Sequence, residues 1–196
     1  AAAEQGDAKA QCYLGYSYEN GKGVSRDIQQ AVKYYKLSAD QGFAPAQCNL
    51  GECYRHGDGV LQDVQQAVKY YRLSADQGFA PAQYNLGDCY NHGRGAPQDM
   101  QQAVKYYTLA ADQGFAPAQC NLGYCYKHGK GVPQDMQQAV KYYTLAADQG
   151  NAPAQCQLAI CYEHGKGAPQ DAQQAVIYYT LAADQGFAPA QCNIGC

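Results

Sequence analysis

The sequence predicts an all-α protein that forms an open, right-handed superhelical solenoid of about five and a half antiparallel helix-turn-helix repeats. Three observations lead to this fold class. The chain repeats itself every 36 residues, each repeat holds two stretches with apolar residues three and four positions apart, and residues that start or stop helices flank both stretches. One helix pair of this length cannot bury its own apolar face, so neighbouring pairs are expected to stack.

A glutamine marks the start of each repeat. Counting this glutamine as place 1, the full copies occupy 11–46, 47–82, 83–118, 119–154 and 155–190, with partial repeats at 1–10 and 191–196. We expect one repeat array over residues 1–196. Because the copies can be aligned with one another, invariant places indicate what folding requires, and variable places indicate what the array binds.

The first helix of each repeat, helix A, is predicted from an apolar stripe. In the fourth copy Ala118, Leu122 and Tyr126 lie three or four residues apart, which places them on one helical face. Pro117 suits the first helical turn, where a missing N–H costs little. Gly129 suits the left-handed residue that ends a helix.

The second helix, helix B, follows a turn that is rich in glycine. Asp135 is placed to accept the free N–H groups of the first helical turn. Met136, Ala139 and Tyr143 continue the spacing of three and four residues, and the pattern extends to Gly150. Each repeat therefore predicts two helices joined by a tight turn.

The invariant places resemble a known family. They carry Leu-Gly at places 4 and 5 in most copies, Tyr at 8, Gly-x-Gly followed by Val or Ala at 11 to 14, Asp at 17, Ala at 21 and Tyr-Tyr at 24 and 25. This pattern is similar to the Sel-one-like repeat (SLR), a relative of the tetratricopeptide repeat, and it covers essentially the whole chain. The resemblance implies a solenoid scaffold for protein complexes, without catalysis in most members. Family units usually carry a bulky residue at places 2 and 7, as Tyr84 does, whereas cysteine takes one or both places in every copy here.

Charge and hydropathy exclude two classes of partner. The net charge is −3 and no basic stripe is present, so the sequence lacks the clustered positive charge that nucleic-acid-binding proteins use to contact phosphates. No apolar run approaches the length needed to cross a membrane, so no membrane insertion is expected.

The residues that suggest catalysis recur once in each repeat, and they have structural explanations. Gly-Lys-Gly at 129–131 and 165–167 lacks the Lys-Ser/Thr that a phosphate-binding loop requires. His56, His92, His128 and His164 occur once per copy, and packed helices lie about 10 Å apart, too far to share a metal ion. Each histidine is expected to interact with the carbonyl end of its own helix. We therefore expect no enzyme, no catalytic residue, no metal and no cofactor.

Variable side chains fall on one side of helix A. Places 2, 6 and 9 lie about 140 to 200 degrees around the helix from the leucine at place 4. In tetratricopeptide relatives the corresponding face lines a concave groove. The sequence predicts a protein or peptide partner there, either an extended peptide or a helix, because binding hot spots are rich in aromatic residues. In the alternative interpretation these residues vary because they face solvent and are under no functional constraint. The predicted residues are Tyr16, Glu19, Glu52, Arg55, Tyr84, Asp88, Asn91, Tyr124, Lys127, Ile160 and Glu163. The groove is expected to be mixed and acidic near Glu52 and Asp88, and apolar and basic near Tyr124 and Lys127.

The ten cysteines allow two interpretations. Place 2 of one copy can pair with place 7 of the next, which gives Cys12 with Cys53, Cys48 with Cys89, and Cys120 with Cys161. Bridged cysteines would favour a secreted or otherwise extracytoplasmic location. In secreted, cysteine-rich SLR proteins a disulfide joins the two helices of each repeat. In this chain the helix-B position that would supply the second cysteine of that disulfide carries Ala or Asp. In the alternative interpretation the cysteines are small buried hydrophobic residues in a reducing compartment.

A second function class is a structural protein. The sequence begins at place 27 and ends at place 6, so both ends are expected to expose apolar surfaces that complement each other head to tail. Such contacts would polymerise the chain into a filament or tube; in the alternative interpretation the ends stack on further repeats of a longer natural chain. Ile177, where the other copies have lysine, is expected to mark an additional lateral contact.

Overall fold

The computed structural model describes residues 2–190 of the chain. Within these residues the structure contains ten α-helices and no strand. The chain divides into two compact units, unit 1 (Ala1–Asp99) and unit 2 (Met100–Cys196). Unit 1 contains α1 (Ala8–Asn20), α2 (Ile28–Ala39), α3 (Ala44–His56), α4 (Val64–Asp76) and α5 (Ala80–His92). Unit 2 contains α6 (Met100–Asp112), α7 (Ala116–His128), α8 (Met136–Ala147), α9 (Ala152–His164) and α10 (Ala172–Asp184).

Odd-numbered helices are the predicted A helices, and even-numbered helices are the predicted B helices. In unit 1, α1 packs on α2 and α3 on α4 within repeats, while α2 packs on α3 and α4 on α5 between repeats. Unit 2 has the same order from α6 to α10. The helix-turn-helix prediction is confirmed, with small differences at the ends. Helix α8 ends at Ala147 rather than Gly150, residues 2–6 of the first partial repeat form turns, and the partial repeat 191–196 lies outside the described residues.

The helix ends form where the sequence places its capping residues. Gly129 ends α7 in the left-handed conformation, with φ of 65°, and its N–H bonds to the carbonyl oxygen of Cys125. The Asp135 carboxylate accepts hydrogen bonds from the backbone of Gln137 and Gln138 at 2.9 and 3.0 Å, which starts α8. Asn151 caps α9 in the same way, although phenylalanine holds this place in the preceding copies.

The core of the first, second and fourth repeats contains a tyrosine packed on a glycine. Tyr143 at place 25 is fully buried, and a Cβ atom on Gly123 at place 5 would lie 2.8 Å from its ring. The other tyrosine of the Tyr-Tyr pair stacks on the tyrosine at place 8, as Tyr126 does on Tyr142 with ring centroids 5.7 Å apart. A small residue at place 5 therefore lets helices A and B of one repeat approach closely.

The repeat-marking glutamine is a buried polar connector rather than part of an apolar stripe. Gln119 is only 4% exposed, and its side-chain amide donates to the carbonyl oxygen of Ala111 at 3.2 Å, near the end of the preceding helix B. Its own oxygen accepts a hydrogen bond from Gln149 at 2.8 Å. A buried polar group is stable only when it is hydrogen-bonded, so this link between three segments explains why the glutamine is invariant.

The second glycine of the Gly-x-Gly turn lies against the helix B of the preceding repeat. Gly59 has φ of 70°, and a Cβ atom there would lie 2.8 Å from the carbonyl oxygen of Ile28 and 2.9 Å from a methyl group of Val32. Gly167 meets Met136 in the same way in unit 2. The motif is thus a packing turn that joins consecutive repeats, in agreement with the exclusion of a phosphate-binding loop.

Candidate partner-binding face

The variable residues at places 6 and 9 lie on the A helices and are at least partly accessible. Tyr16 and Tyr124 are each 43% exposed, and Ile160 is half-buried against the apolar cluster that includes Ala159. Place 2 differs from the sequence prediction. Tyr84 is half-buried, and Cys12, Cys48 and Cys156 are buried. The remaining predicted face residues are half-buried, except Glu163, which is exposed: Glu19, Glu52, Arg55, Asp88, Asn91 and Lys127.

In unit 1 the charged residues of this face neutralise one another. Arg55 lies 3.1 Å from Glu52 on its own helix and 3.9 Å from Asp88 on the next A helix. Arg94 lies 3.6 Å from Asp88, and Asn85 donates to Glu52 at 2.6 Å. The histidines that end α3 and α5 contact the same two carboxylates at 3.3 and 3.2 Å, rather than the helix carbonyl ends that the sequence suggested. The face near Glu52 and Asp88 is therefore a network of paired charges.

The exposed tyrosines are held in place by a lysine six residues later. The Lys130 ammonium lies 4.8 Å from the Tyr124 ring centroid and donates to its hydroxyl oxygen at 3.2 Å. Lys22 makes the same contacts with Tyr16, at 4.9 and 3.1 Å. These lysines occupy place 12, which we did not single out from the sequence. The sequence contains one indication of this contact: both copies that have tyrosine at place 6 also have lysine at place 12.

Lys127 also has a partner within unit 2. Its ammonium donates to the side-chain oxygen of Gln157 on the next A helix at 2.8 Å. The histidine that follows it, His128, packs against the Tyr124 ring with centroids 4.4 Å apart. Burial and the neighbouring Lys127 and Lys130 lower the pKa of His128, which favours its neutral form. The apolar and basic part of the face is therefore largely preorganised.

Where place 9 is glutamate, its carboxylate accepts a hydrogen bond from the buried tyrosine of the same repeat. The Tyr35 hydroxyl donates to the Glu19 carboxylate at 2.6 Å, and the Tyr179 hydroxyl donates to Glu163 at 2.6 Å. Burial and the bond to Glu19 together raise the pKa of Tyr35. In the fourth copy place 9 is Lys127, and the Tyr143 hydroxyl has no hydrogen-bond partner among the described residues. Variation at place 9 therefore serves folding as well as any partner.

Tyr35→Phe and Tyr143→Phe are expected to differ in their effect on stability. The first removes a hydrogen bond to a carboxylate and should lower the free energy of unfolding by about 1–2 kcal/mol. The second removes a buried hydroxyl without a partner and should leave stability unchanged or raise it. Urea unfolding followed by circular dichroism measures both. An equal loss in the two variants would contradict this role for Glu19.

The described cysteines are free thiols in this structure. They are Cys12, Cys48, Cys53, Cys89, Cys120, Cys125, Cys156 and Cys161, all buried except the half-buried Cys120. Cys12 and Cys53, a predicted pair, belong to one apolar cluster that also contains Tyr35. Burial raises the pKa of Cys12 to about 11 and that of Cys48 to about 12, so these thiols are protonated and unreactive at pH 7. The bridges stay a prediction, and thiol counting under denaturing, non-reducing conditions tests them.

Two further features of the described residues limit the chemistry of the site. No group of three or more His, Cys, Asp or Glu side chains in residues 2–190 is arranged to hold a metal ion. In the same part of the chain, every helix is too short or too polar to cross a membrane.

Comparison with protein-family models identifies the repeats. The model described as Sel1 repeat matches 8–43, 44–79, 80–115, 116–151 and 152–187. Each matched segment begins three residues before the repeat-marking glutamine, where the A helix starts. No curated protein matches this chain in a sequence search.

Solved structures of similar proteins have the same fold. A protective antigen of uropathogenic Escherichia coli strains, which displays an SLR fold, is 39% identical with a TM-score of 0.90; the match covers 99% of this chain and 42% of the antigen. A Sel1 repeat protein from Oxalobacter formigenes is 37% identical with a TM-score of 0.89, covering 95% of this chain and 74% of that protein. Helicobacter pylori cysteine rich protein B is 25% identical with a TM-score of 0.52, covering 68% of this chain and 96% of that protein. The chain thus spans less than half of the E. coli antigen. The predicted all-α repeat fold is confirmed.

Proposed function

Because this chain belongs to the Sel1 repeat family, we propose that it is a non-catalytic scaffold that binds a protein or peptide partner through the face formed by its A helices. Members of this family typically mediate protein–protein interactions and are generally non-catalytic. The absence of a singular catalytic constellation in the sequence agrees with this function.

One observation carries the proposal. The copies are nearly interchangeable, yet place 6 reads Tyr, Glu, Asp, Tyr and Ile along the array, and place 9 reads Glu, Arg, Asn, Lys and Glu. Folding alone does not require this variety at place 6, because the neighbouring places 5 and 7 each keep one residue, glycine and cysteine, in four of the five copies. A varied row on a repeated framework is the arrangement that gives a solenoid its specificity.

In unit 2 the exposed tyrosine at place 6 is followed one copy later by Ile160, whereas the equally exposed Tyr16 of unit 1 is followed by the charged Glu52. Tyr124 is exposed, and Lys130 and His128 hold its ring, so ordering this side chain on binding costs little entropy. Ile160 adds apolar surface on the next A helix. In unit 1, Glu52 and Asp88 are already paired with arginine, so a partner gains less from them. We therefore assign the main contact to an apolar or aromatic side chain of the partner at Tyr124.

Tyr124→Ala is expected to weaken partner binding at least about tenfold, and the double variant Tyr124→Ala with Ile160→Ala is expected to weaken it further. The partner is first recovered on the immobilised wild-type chain, and its affinity for each variant is then measured by calorimetry. Tyr13→Ala serves as the control, since Tyr13 is 62% exposed but lies outside places 6 and 9. Unchanged affinity in a folded Tyr124 variant would place the partner elsewhere.

Self-association is the second candidate function, and it is favoured by an apolar patch on α10. Ile177 and Leu181 are 49% and 44% exposed, and Ile177 takes a place where the other copies carry lysine. Sedimentation at micromolar concentration tests this candidate: larger species that Ile177→Lys reduces would support it. A concentration-independent monomer of 21.2 kDa would exclude it.

A further inference from the structure

Unit 1 has two equivalent grooves on its helix-B side, away from the variable face. The first groove, of about 340 Å³, has Val32 and Leu37 in its floor, Lys33 and Lys36 at its rim, and Gly59 and Val60 in its wall. The second groove, of about 580 Å³, repeats this arrangement one copy later with Val68, Leu73, Lys69, Arg72 and Gly95, and Asp76 also lines it. Each groove forms where a turn packs against the helix B of the preceding repeat.

The floor of each groove contains exposed apolar surface. Leu37 and Leu73 are 42% and 51% exposed. The same leucine recurs in every copy. An apolar side chain of a partner can therefore be buried in each groove.

The cations at the rims are available to an external anion. Lys33, Lys36, Lys69 and Arg72 are exposed, and none has a carboxylate oxygen within 4.0 Å in the described residues. Two of them contact aromatic side chains: Lys36 lies 5.9 Å from the Tyr54 ring, and Arg72 donates to the Tyr90 hydroxyl at 2.8 Å. The arginines of the A-helix face, by contrast, are paired with Glu52 and Asp88.

The repeats supply an internal comparison for these charges. The residues at places 23 and 26 are Lys33 and Lys36, Lys69 and Arg72, Lys105 and Thr108, Lys141 and Thr144, and Ile177 and Thr180. The second cation is thus confined to unit 1, while the leucine is kept throughout. Because threonine occupies place 26 in three copies without loss of the fold, the two cations of unit 1 are not needed for folding.

We propose that the two grooves of unit 1 are a docking site for an extended acidic peptide, which places one apolar side chain in each groove and carboxylates against the rim cations. The grooves lie on α2 and α4, which both pack against α3. In a polyproline II segment, which has three residues per turn, side chains three residues apart point the same way. The probe ligand therefore has two leucine-like residues three apart, flanked by Glu or Asp. This site is separate from the A-helix face.

Fluorescence anisotropy with a labelled Glu-Leu-Glu-Pro-Leu-Glu peptide tests the proposal, with a second peptide carrying Lys for Glu as the ligand control. The acidic peptide is expected to bind, and to bind more weakly as ionic strength rises. Lys36→Thr with Arg72→Thr, which copies the residues of the later repeats, should weaken binding at least about tenfold. Leu37→Asn with Leu73→Asn should also weaken it, and circular dichroism confirms that each variant is folded.

Several outcomes overturn the proposal. Equal binding of the acidic and basic peptides, or unchanged affinity in the folded Lys36→Thr, Arg72→Thr variant, would show that the rim cations do not recognise the ligand. Binding to anionic phospholipid vesicles but not to the peptide would assign the grooves to a membrane surface. Tyr124→Ala should leave peptide binding unchanged, so failure at this site and failure at the A-helix face are distinguishable.

Discussion

Leu122→Ala is expected to lower the free energy of unfolding by about 2–5 kcal/mol, the range for truncating a buried leucine. Leu122 lies at the centre of α7 and is fully buried. The loss combines less apolar burial with the cavity that the packed helices cannot close. For a chain of this length it corresponds to a fall in Tm of roughly 4–20 °C. Urea and thermal unfolding followed by circular dichroism measure the effect.

Leu145→Ala is the matched control for this prediction. Leu145 lies on the neighbouring helix α8 and is 41% exposed, so the same substitution should cost less than about 1 kcal/mol. Similar losses in the two variants would mean that Leu122 is not part of a packed core.

Gly167→Ala is expected to cost about 2–5 kcal/mol, in two separable parts. Gly167 has φ of 79°, and an L-residue in the left-handed region costs about 1–2 kcal/mol. A Cβ atom would also overlap the carbonyl oxygen of Met136 and lie 2.7 Å from the carbonyl carbon, which adds about 1–3 kcal/mol of overpacking. The turn would have to move away from α8.

Gly23→Ala isolates the conformational part. Gly23 is the equivalent glycine of the first copy, with φ of 75°, and no atom lies within 4 Å of a Cβ built there. The difference between the two variants in chemical denaturation therefore measures the contact between consecutive repeats. If Gly23→Ala were as destabilising as Gly167→Ala, this contact would contribute nothing measurable.

The helices could be predicted closely because their signals are local. The spacing of Ala139 and Tyr143, the N-cap Asp135 and the left-handed Gly129 all act within about four residues along the chain. Because these signals recur in every copy, a helix boundary that is poorly defined in one copy is defined by the equivalent residues of the others. The largest difference, the end of α8 at Ala147 instead of Gly150, concerns the last turn of a helix, where boundaries are least defined.

The candidate site was predicted less completely. The helical wheel placed Tyr84 and the cysteines at place 2 on the same open side as Tyr124, but Cys48 is 4% exposed. A helical wheel describes one helix alone, whereas this side also meets a neighbouring A helix: Asn85 of α5 donates to the Cys48 sulfur at 3.8 Å. The lysine at place 12 was missed because it lies in the turn, outside the helical pattern.

The sequence by itself determined the repeat length, the helix pairs with their caps, and the tyrosine, leucine and alanine core, because period and local capping specify them without reference to distant residues. Only the tertiary structure decided which variable side chains are already engaged within the protein. Lys127 with Gln157, Glu52 with Asn85, and Gln119 with Gln149 join residues about 30 positions apart. Such contacts depend on the separation and rotation of neighbouring helices, which arise from packing a continuous core and are not encoded in the spacing of residues along any one helix.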